Sequence, residues 1–598
     1  MNLGFTTARG WSGHRAGWAH TRSAATAAQG DNGGVRDDAP VRRYDVVVIG
    51  SGFGGSVAAL RAAEKGYSVA VLEAGRRFAD HELPQTSWRV RRFLWAPALG
   101  CLGIQRLTLL RGRRGAGMLV LSGAGVGGGS LVYANTLYRP PPEFFSDPQW
   151  RDITDWQAEL APWYDLAGRM LGVTTYPDDT PADVAMRAVA ERMGAGGTYR
   201  PTPVGVYFGE PGRTVPDPYF GGAGPDRAGC LHCGACMTGC RHNAKNSLPK
   251  NYLWLAERAG AAVVPRTTVT AVRPAAGGGY QVTAVATGPG PRRRRVYHAG
   301  QVVFAAGALG TQRLLHAMRA RGDLPRLSDR IGHLTRSNSE AILGASVPAR
   351  AAKRRGLAFH QGVAITGSFH PDARTHIEPV RYGEGANALG LLQSALVAGG
   401  PARPLRWLGA LLRAPHLIVH RTWVRRWSQR TVIALVMQSL DNSVTVRWRR
   451  AWYGRRRLLA EPGTGEPNPT WIPAGHRAAR LLAEQIGGYP GGAITEAFNV
   501  PLTAHILGGA VIGADPSRGV VDAYHRVFGH PGLHVLDGAA VCANLGVNPA
   551  LTITALAERA MALWPCRGEP DPRPPLGEPY RRVEPVPPAH PAVPAGAL

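Results

Sequence analysis

No run of about eighteen uncharged apolar residues occurs in this 598-residue chain, so a hydrophobic membrane-spanning helix is excluded. The first 43 residues have no apolar h-region of the kind a secretory signal needs; they are rich in Ala, Gly and Arg, and a disordered N-terminal tail is expected over 1–43. The Arg42-Arg43 pair is not a twin-arginine export signal, because a buried strand follows it at once. Acidic residues are few: 41 Asp and Glu stand against 69 Lys and Arg, for a net charge of +28. That excess would suit a nucleic-acid partner, but no helix-turn-helix, zinc-finger or RNA-binding signature accompanies it. The basic residues are almost all arginine and scattered, as a GC-rich code scatters them, so nucleic acid is excluded as the main partner. An anionic membrane surface fits the charge better.

Against these absences stands Tyr44 to Arg77, YDVVVIGSGFGGSVAALRAAEKGYSVAVLEAGR. Asp45 to Ile49 reads as a buried parallel strand, short, apolar and β-branched. Gly50, Gly52 and Gly55 form GxGxxG, Phe53 and Gly54 lie within it, and Ser56 to Lys65 has helical spacing. A second strand, Ser68 to Leu72, ends on Glu73. The glycines allow a tight turn and a close approach to pyrophosphate at the helix N-terminus, while Glu73 is placed to accept the ribose hydroxyls of an adenosine half.

A second glycine-dense segment, Leu121 to Asn135, reads as a cofactor-wrapping loop, since Leu131, Val132 and Tyr133 follow its glycines directly. Val269 to Val272 and Tyr280 to Ala284 read as strands, and Gln301 to Thr311 is again strand, small-residue turn (Ala306, Gly307) and helix. Gly532 to Ala560 holds a strand ending on Asp537-Gly538, then a long helix opened by Asn548-Pro549. Two nucleotide-binding segments at opposite ends of so long a chain favour FAD over NAD, with Asp537 on the ribitol chain and the helix opening near Asn548 aimed at the flavin's pyrimidine edge. Beyond Pro565 a Pro-rich, disordered tail is expected.

Four of the seven cysteines, Cys230, Cys233, Cys236 and Cys240, have the C-x2-C-x2-C-x3-C spacing of a bacterial-ferredoxin cluster, without the Pro after the fourth and without a second motif. The spacing points to a 4Fe-4S centre, with zinc, a disulfide pair or a metal-free thiol loop as the alternatives. Clustered cysteines also favour a reducing compartment, hence a cytoplasmic location. Trp88 to Leu110 and Pro404 to Arg430 mix Trp, Leu and Arg; each suits either a bilayer interface or a buried lid.

The motifs GSGFGG (50–55), LEAG (72–75), GVGGGSLVYAN (125–135), NAKNSLPKNYL (243–253), FAAGALGT (304–311), AHILGGAVIG (504–513) and GVNPALTITALAER (546–559) together resemble those of the glucose–methanol–choline (GMC) flavoprotein oxidoreductases and, among them, the bacterial cholesterol oxidases. The resemblance implies an α/β fold: a Rossmann-type FAD-binding domain (44–150, 225–312 and 500–564) and an α+β substrate domain on a large antiparallel sheet (151–224 and 313–499). It implies oxidation of a sterol 3β-hydroxyl or another bulky alcohol, with oxygen as electron acceptor, for which the cysteine cluster offers a quinone or a protein as the alternative. On that resemblance Gly50, Gly52, Phe53, Gly54, Gly55, Glu73, Gly125, Gly128, Gly129, Ser130, Asn135, Val269, Ala306, Gly307, Asp537, Gly538, Asn548 and Pro549 hold FAD. His505 and Asn548 are the catalytic pair. Glu378 in THIEPVRY is the base for moving a steroid double bond into conjugation, with Glu340 and Glu384 as competitors. The cysteine cluster leaves a further reading open, an FAD and iron–sulfur electron-transfer module.

Overall fold

The computed structural model describes residues 42–597 except 114, 414, 416–422, 451–453 and 455. Of the expected N-terminal tail only Arg42 and Arg43 fall among them, and they already belong to the first strand, Arg42–Ile49. That strand pairs in parallel with Val69–Leu72 on one side and Arg294–Phe304 on the other, and Val46, Val47 and Val48 are wholly buried. A strand covered on both faces needs no polar alternation, which explains its continuous apolar run.

The parallel sheet runs in the order Ala262–Val264, Val69–Leu72, Arg42–Ile49, Arg294–Phe304, with Leu533–Val535 added in parallel beside the C-terminal end of Arg294–Phe304. The Tyr280–Ala286 and Thr267–Pro274 hairpin extends it antiparallel. A strand from residue 533 onward thus lies in the same sheet as the one from residue 42, and the ends of several strands converge on one edge.

The second large sheet is antiparallel throughout: Gln393–Ala395, Tyr489–Ala493, Ala341–Ser346, Thr431–Gln438, Thr375–Val380, Gly367–Asp372, Arg200–Pro201. Helix Pro473–Ile486 packs on it, with a separate apolar core including Ala478, Leu482 and Val436. The two sheets lie in one compact unit from Val41 onward.

The tail beyond Pro565 differs from its expectation. It has no helix or strand, yet it is packed down: Arg567 N donates to Lys65 O, His590 N to Glu64 O, Val586 N to Ala562 O, and Val593 is buried. Proline removes donors, but the donors that remain find carbonyls on helices Phe53–Glu64 and Ala550–Ala562, so this low-complexity segment is held as a strap.

Candidate active site

The fingerprint glycines divide into two kinds. A Cβ at Gly50 would lie 2.3 Å from Ala305 O, at Gly54 1.3 Å from Leu536 O, and at Gly55 2.2 Å from Gly50 O. Gly50 also has φ of +104°. These three glycines are demanded by the protein's own packing. Gly52 is not: a Cβ there meets nothing within 4 Å, at the start of helix Phe53–Glu64 and on the wall of the main cavity. A backbone kept bare in front of a helix N-terminus fits a pyrophosphate, and so fits FAD.

That cavity, about 410 Å³, is lined by Gly50, Gly52, Phe53, Gly54, Glu73, Gly128, Gly129, Val269, Ala306, Gly307, Asp537, Gly538, Asn548 and Pro549. Glu73 is clasped by its own loop, accepting from Ser51 N and Oγ and from Gly75 N, and burial raises its pKa above the ordinary value against those bonds. Asp537 accepts from Gly307 N, Thr311 Oγ1 and Ala539 N, and burial pushes it up to about 6. Gly55, Gly125, Ser130 and Asn135 are not on the cavity wall. Ser130 Oγ donates to Gly127 O and accepts from Leu248 N, bracing the glycine loop from behind, while Asn135 is buried beside Cys236.

On the wall of the same cavity His505 and Asn548 meet, Nε2 to Nδ2, at 3.4 Å. Asn548 does not cap helix Ala550–Ala562, and its Oδ1 has no partner. His505 Nδ1 lies 3.0 Å from Glu340 Oε1. Glu340 is held in turn by Thr503 Oγ1 at 2.6 Å and Ala504 N at 3.0 Å. A carboxylate on Nδ1 fixes the tautomer that leaves Nε2 free to accept a proton on the cavity side. Burial works against charge on both groups, but their mutual attraction and hydrogen bond win: His505 is raised and Glu340 lowered from their ordinary values. The antiparallel sheet adds Ile342, Val380, Ile433 and Leu435 to the apolar wall, with Ile365 bridged to Val380 beside them.

Glu378 lies next to this pair but has a different setting. It is wholly buried, and neither carboxylate oxygen has a hydrogen-bond partner. Burial pushes it up to about 8, with His505 and Asn548 opposing only in part. Glu384, the other competitor, accepts from Gln429 Nε2 in a helical turn; like Glu378 and Glu340, it does not itself line the cavity. The pairing of Glu340 with His505 has no signature in the sequence; the two are 165 residues apart and share no motif.

The iron–sulfur expectation needs correction. Cys230, Cys233, Cys236 and Cys240 do line one small void, about 20 Å³, with Lys245 and His242. Among the described residues, however, no group of three or more His, Cys, Asp or Glu side chains is arranged to hold a metal. Cys230, Cys236 and Cys240 instead pack in an apolar cluster with Tyr176, Val204, Val206 and Val363. Burial pushes the thiols of Cys230 up to about 12 and of Cys236 to about 11. The residues do not fit a cluster, and all seven cysteines are free.

Comparison with known proteins agrees with this geometry. Residues 45–82 match the FAD binding domain model, 223–318 the N-terminal GMC oxidoreductase model and 449–557 the C-terminal one. A cholesterol oxidase of Mycobacterium tuberculosis is 58% identical, over 93% of this chain and 96% of that protein. A cholesterol oxidase of Acinetobacter baumannii is 42% identical, over 88% of this chain and 95% of the relative. Among solved structures, formate oxidase superposes with a TM-score of 0.55 at 13% identity, covering 87% of this chain and 98% of that one. Pyridoxine 4-oxidase from Mesorbium loti superposes with a TM-score of 0.54 at 16% identity, covering 86% and 98%. With a bare glycine cradle and a paired histidine and asparagine on the wall of one cavity, this chain belongs to the FAD-binding GMC oxidoreductase family.

Proposed function

We propose that the chain oxidises the 3β-hydroxyl of a sterol. Bound FAD supplies the hydride acceptor for such an oxidation. Gly50, Gly52, Gly128, Gly129, Val269, Gly307, Asp537 and Pro549 would hold it. His505 Nε2 takes the hydroxyl proton, Glu340 stabilises the imidazolium that forms, and the Asn548 amide donates to the substrate oxygen as it becomes a carbonyl. The observation that carries the reading is the His505–Asn548 contact, between the glycine cradle and an apolar wall suited to a fused-ring hydrocarbon. Its name in the relatives, cholesterol oxidase, supports both the sterol and oxygen as the acceptor.

Glu378 supports a second step. Oxidation leaves a 5-en-3-one, and a buried carboxylate with a raised pKa, beside the His505–Asn548 pair, is suited to taking a proton from C4 and returning it to C6. We further assign the parallel sheet, with 44–150, 225–312 and 500–564, to FAD, and 151–224 with 313–499 to the substrate. Contact with a membrane, where the sterol resides, is supported by helix Arg403–Arg413: Leu405, Leu408 and Leu412 recur along it exposed, flanked by Arg406 and Arg413. No described helix is long and apolar enough to cross a membrane.

The test is anaerobic mixing of the FAD-loaded protein with a 3β-hydroxysteroid. Bleaching of the flavin absorbance is expected. Bleaching by a sugar or small alcohol but by no sterol would overturn the substrate and leave the family intact.

A further inference from the structure

The cysteine-bearing segment takes no part in the proton chemistry, yet it reaches the cavity. Met237 lies on the cavity wall, carried there by the single helical turn Cys236–Thr238. It packs against the apolar cluster that holds Ile365, Val380 and Leu435, and also against the one that holds Cys230, Cys236 and Val363. Met237 therefore joins the cysteines to the apolar wall of the site. Ile342, Ile365, Val380, Ile433 and Leu435 on that wall are all branched, whereas Met237 is a straight thioether chain that adapts to what it meets.

Two ties hold that turn in place. The first is Lys245, which is buried and whose Nζ donates to Cys236 O at 2.8 Å, Tyr133 O at 2.9 Å and Leu131 O at 3.1 Å. All three donors of an ammonium are used. Leu131 and Tyr133 belong to the glycine loop, whose Gly128, Gly129, Val132 and Tyr133 line the cavity, and the Tyr133 ring lies 4.5 Å from Nζ. Lys245 thus fastens the start of the Met237 turn to the loop assigned to FAD. Burial lowers Lys245 to about 7, and three carbonyl acceptors favour its charged form. The second tie is to the substrate side. Cys233 is bridged to Gly362, Gly234 N donates to Gly362 O, and Gly362 N donates to His232 O. A Cβ at Gly234 would lie 2.0 Å from His360 O, so the two segments meet backbone to backbone just before Ile365.

We propose that Met237 is a specificity-determining residue of the sterol site, in contact with the fused rings, and that Lys245 is the positioning residue that holds it beside the cofactor loop. This inference rests on the reading of the cavity as a sterol site. The ring contact follows from the strand Thr375–Val380. Val380 and Glu378 leave the same face of that strand, roughly 7 Å apart, and Glu378 is the acid assigned to C4 and C6. The wall that Met237 joins at Val380 therefore begins one strand repeat from the first two rings, not at the hydrocarbon tail. Cys230 and Cys236 then serve as packing behind Met237, a task that small apolar side chains perform without metal. Lys245 touches no substrate atom and acts through the turn it fastens.

The experiment follows anaerobic flavin reduction in the FAD-loaded protein by two 3β-hydroxysteroids, one with and one without the hydrocarbon tail at C17. Their concentration dependence separates the half-saturating concentration from the limiting rate. Met237→Ala is expected to raise the half-saturating concentration about tenfold for both steroids and to leave the limiting rate within about threefold. Met237→Leu, which keeps the volume, is expected to stay within about threefold of wild type in both quantities. Lys245→Met keeps the straight chain and removes the charge; it is expected to raise the half-saturating concentration severalfold in the wild-type background and not in Met237→Ala. If Lys245→Met yields no folded protein, Lys245→Gln, which keeps two donors, takes its place in the same comparison. An unchanged half-saturating concentration in Met237→Ala, or a rise confined to the tailed steroid, overturns the ring contact. An equal effect of the Lys245 variant in both backgrounds overturns its positioning role. No flavin reduction by either steroid in wild type overturns the sterol reading itself, and this inference with it.

Discussion

Glu340 and Glu378 are buried to the same depth, and both lie near His505, yet their surroundings push them in opposite directions. Glu340 has an imidazole, a hydroxyl and a backbone N–H, and its pKa falls. Glu378 has no such set of close donors, and burial raises it to about 8 against the weaker pull of His505 and Asn548. Burial alone therefore does not decide what a carboxylate does; its partners decide. Where two acids in one site are pushed apart in this way, they divide the work, one as a fixed anion and one as an exchangeable acid and base.

The contrast is broken most severely at the group the two acids share. His505→Ala should keep its flavin spectrum but reduce that flavin about 10²- to 10⁴-fold more slowly on anaerobic addition of sterol, the range for a lost proton acceptor. Unchanged reduction would remove the histidine from the chemistry. Glu378→Gln separates the two roles. Conversion of the 5-en-3-one should fall on the order of 10²- to 10⁴-fold, while oxidation stays within about threefold, so the unconjugated ketone accumulates in chromatograms of the product. In wild type, isomerisation should rise with pH through about 8, because the base acts only once deprotonated and its folded-state pKa is raised. Equal loss of both steps would put Glu378 in the oxidation.

Glu340→Gln sharpens the comparison with a smaller effect. It keeps the shape and removes the charge, and flavin reduction should slow about 10- to 100-fold, as when a group orienting a histidine is lost. The pH profile carries the sign. Glu340 raises His505, and oxidation needs His505 neutral, so the acid limb of the flavin-reduction rate should move to lower pH in Glu340→Gln. A limb that stays in place would mean that Glu340 is not what raises His505.

The cradle was legible because its demands are local: glycines five residues apart meet a strand, a turn and a helix that the same stretch encodes. His505 and Asn548 were legible through their motifs. The partner of His505 was not, since the contact joins positions 165 apart through two loops. Spacing misled at the cysteines, because it gives the order of the thiols and not their directions; three of them turn into an apolar cluster. Composition misled at the tail, where a proline-rich segment with few donors still uses those it has against two helices.

That tail has a consequence for the order in which the protein can be completed during synthesis. Helix Phe53–Glu64, whose first turn is the cofactor cradle, emerges early, but its far end waits for late residues. Arg61 pairs with Glu558, and Glu64 receives Ala592 N across 528 residues. Leu533–Val535, leading to Asp537, joins the sheet only after almost the whole chain has been made. A nascent chain therefore lacks part of its cradle until Asp537 and Pro549 have left the ribosome, and the helix behind that cradle is braced at its far end only once Ala592 has followed.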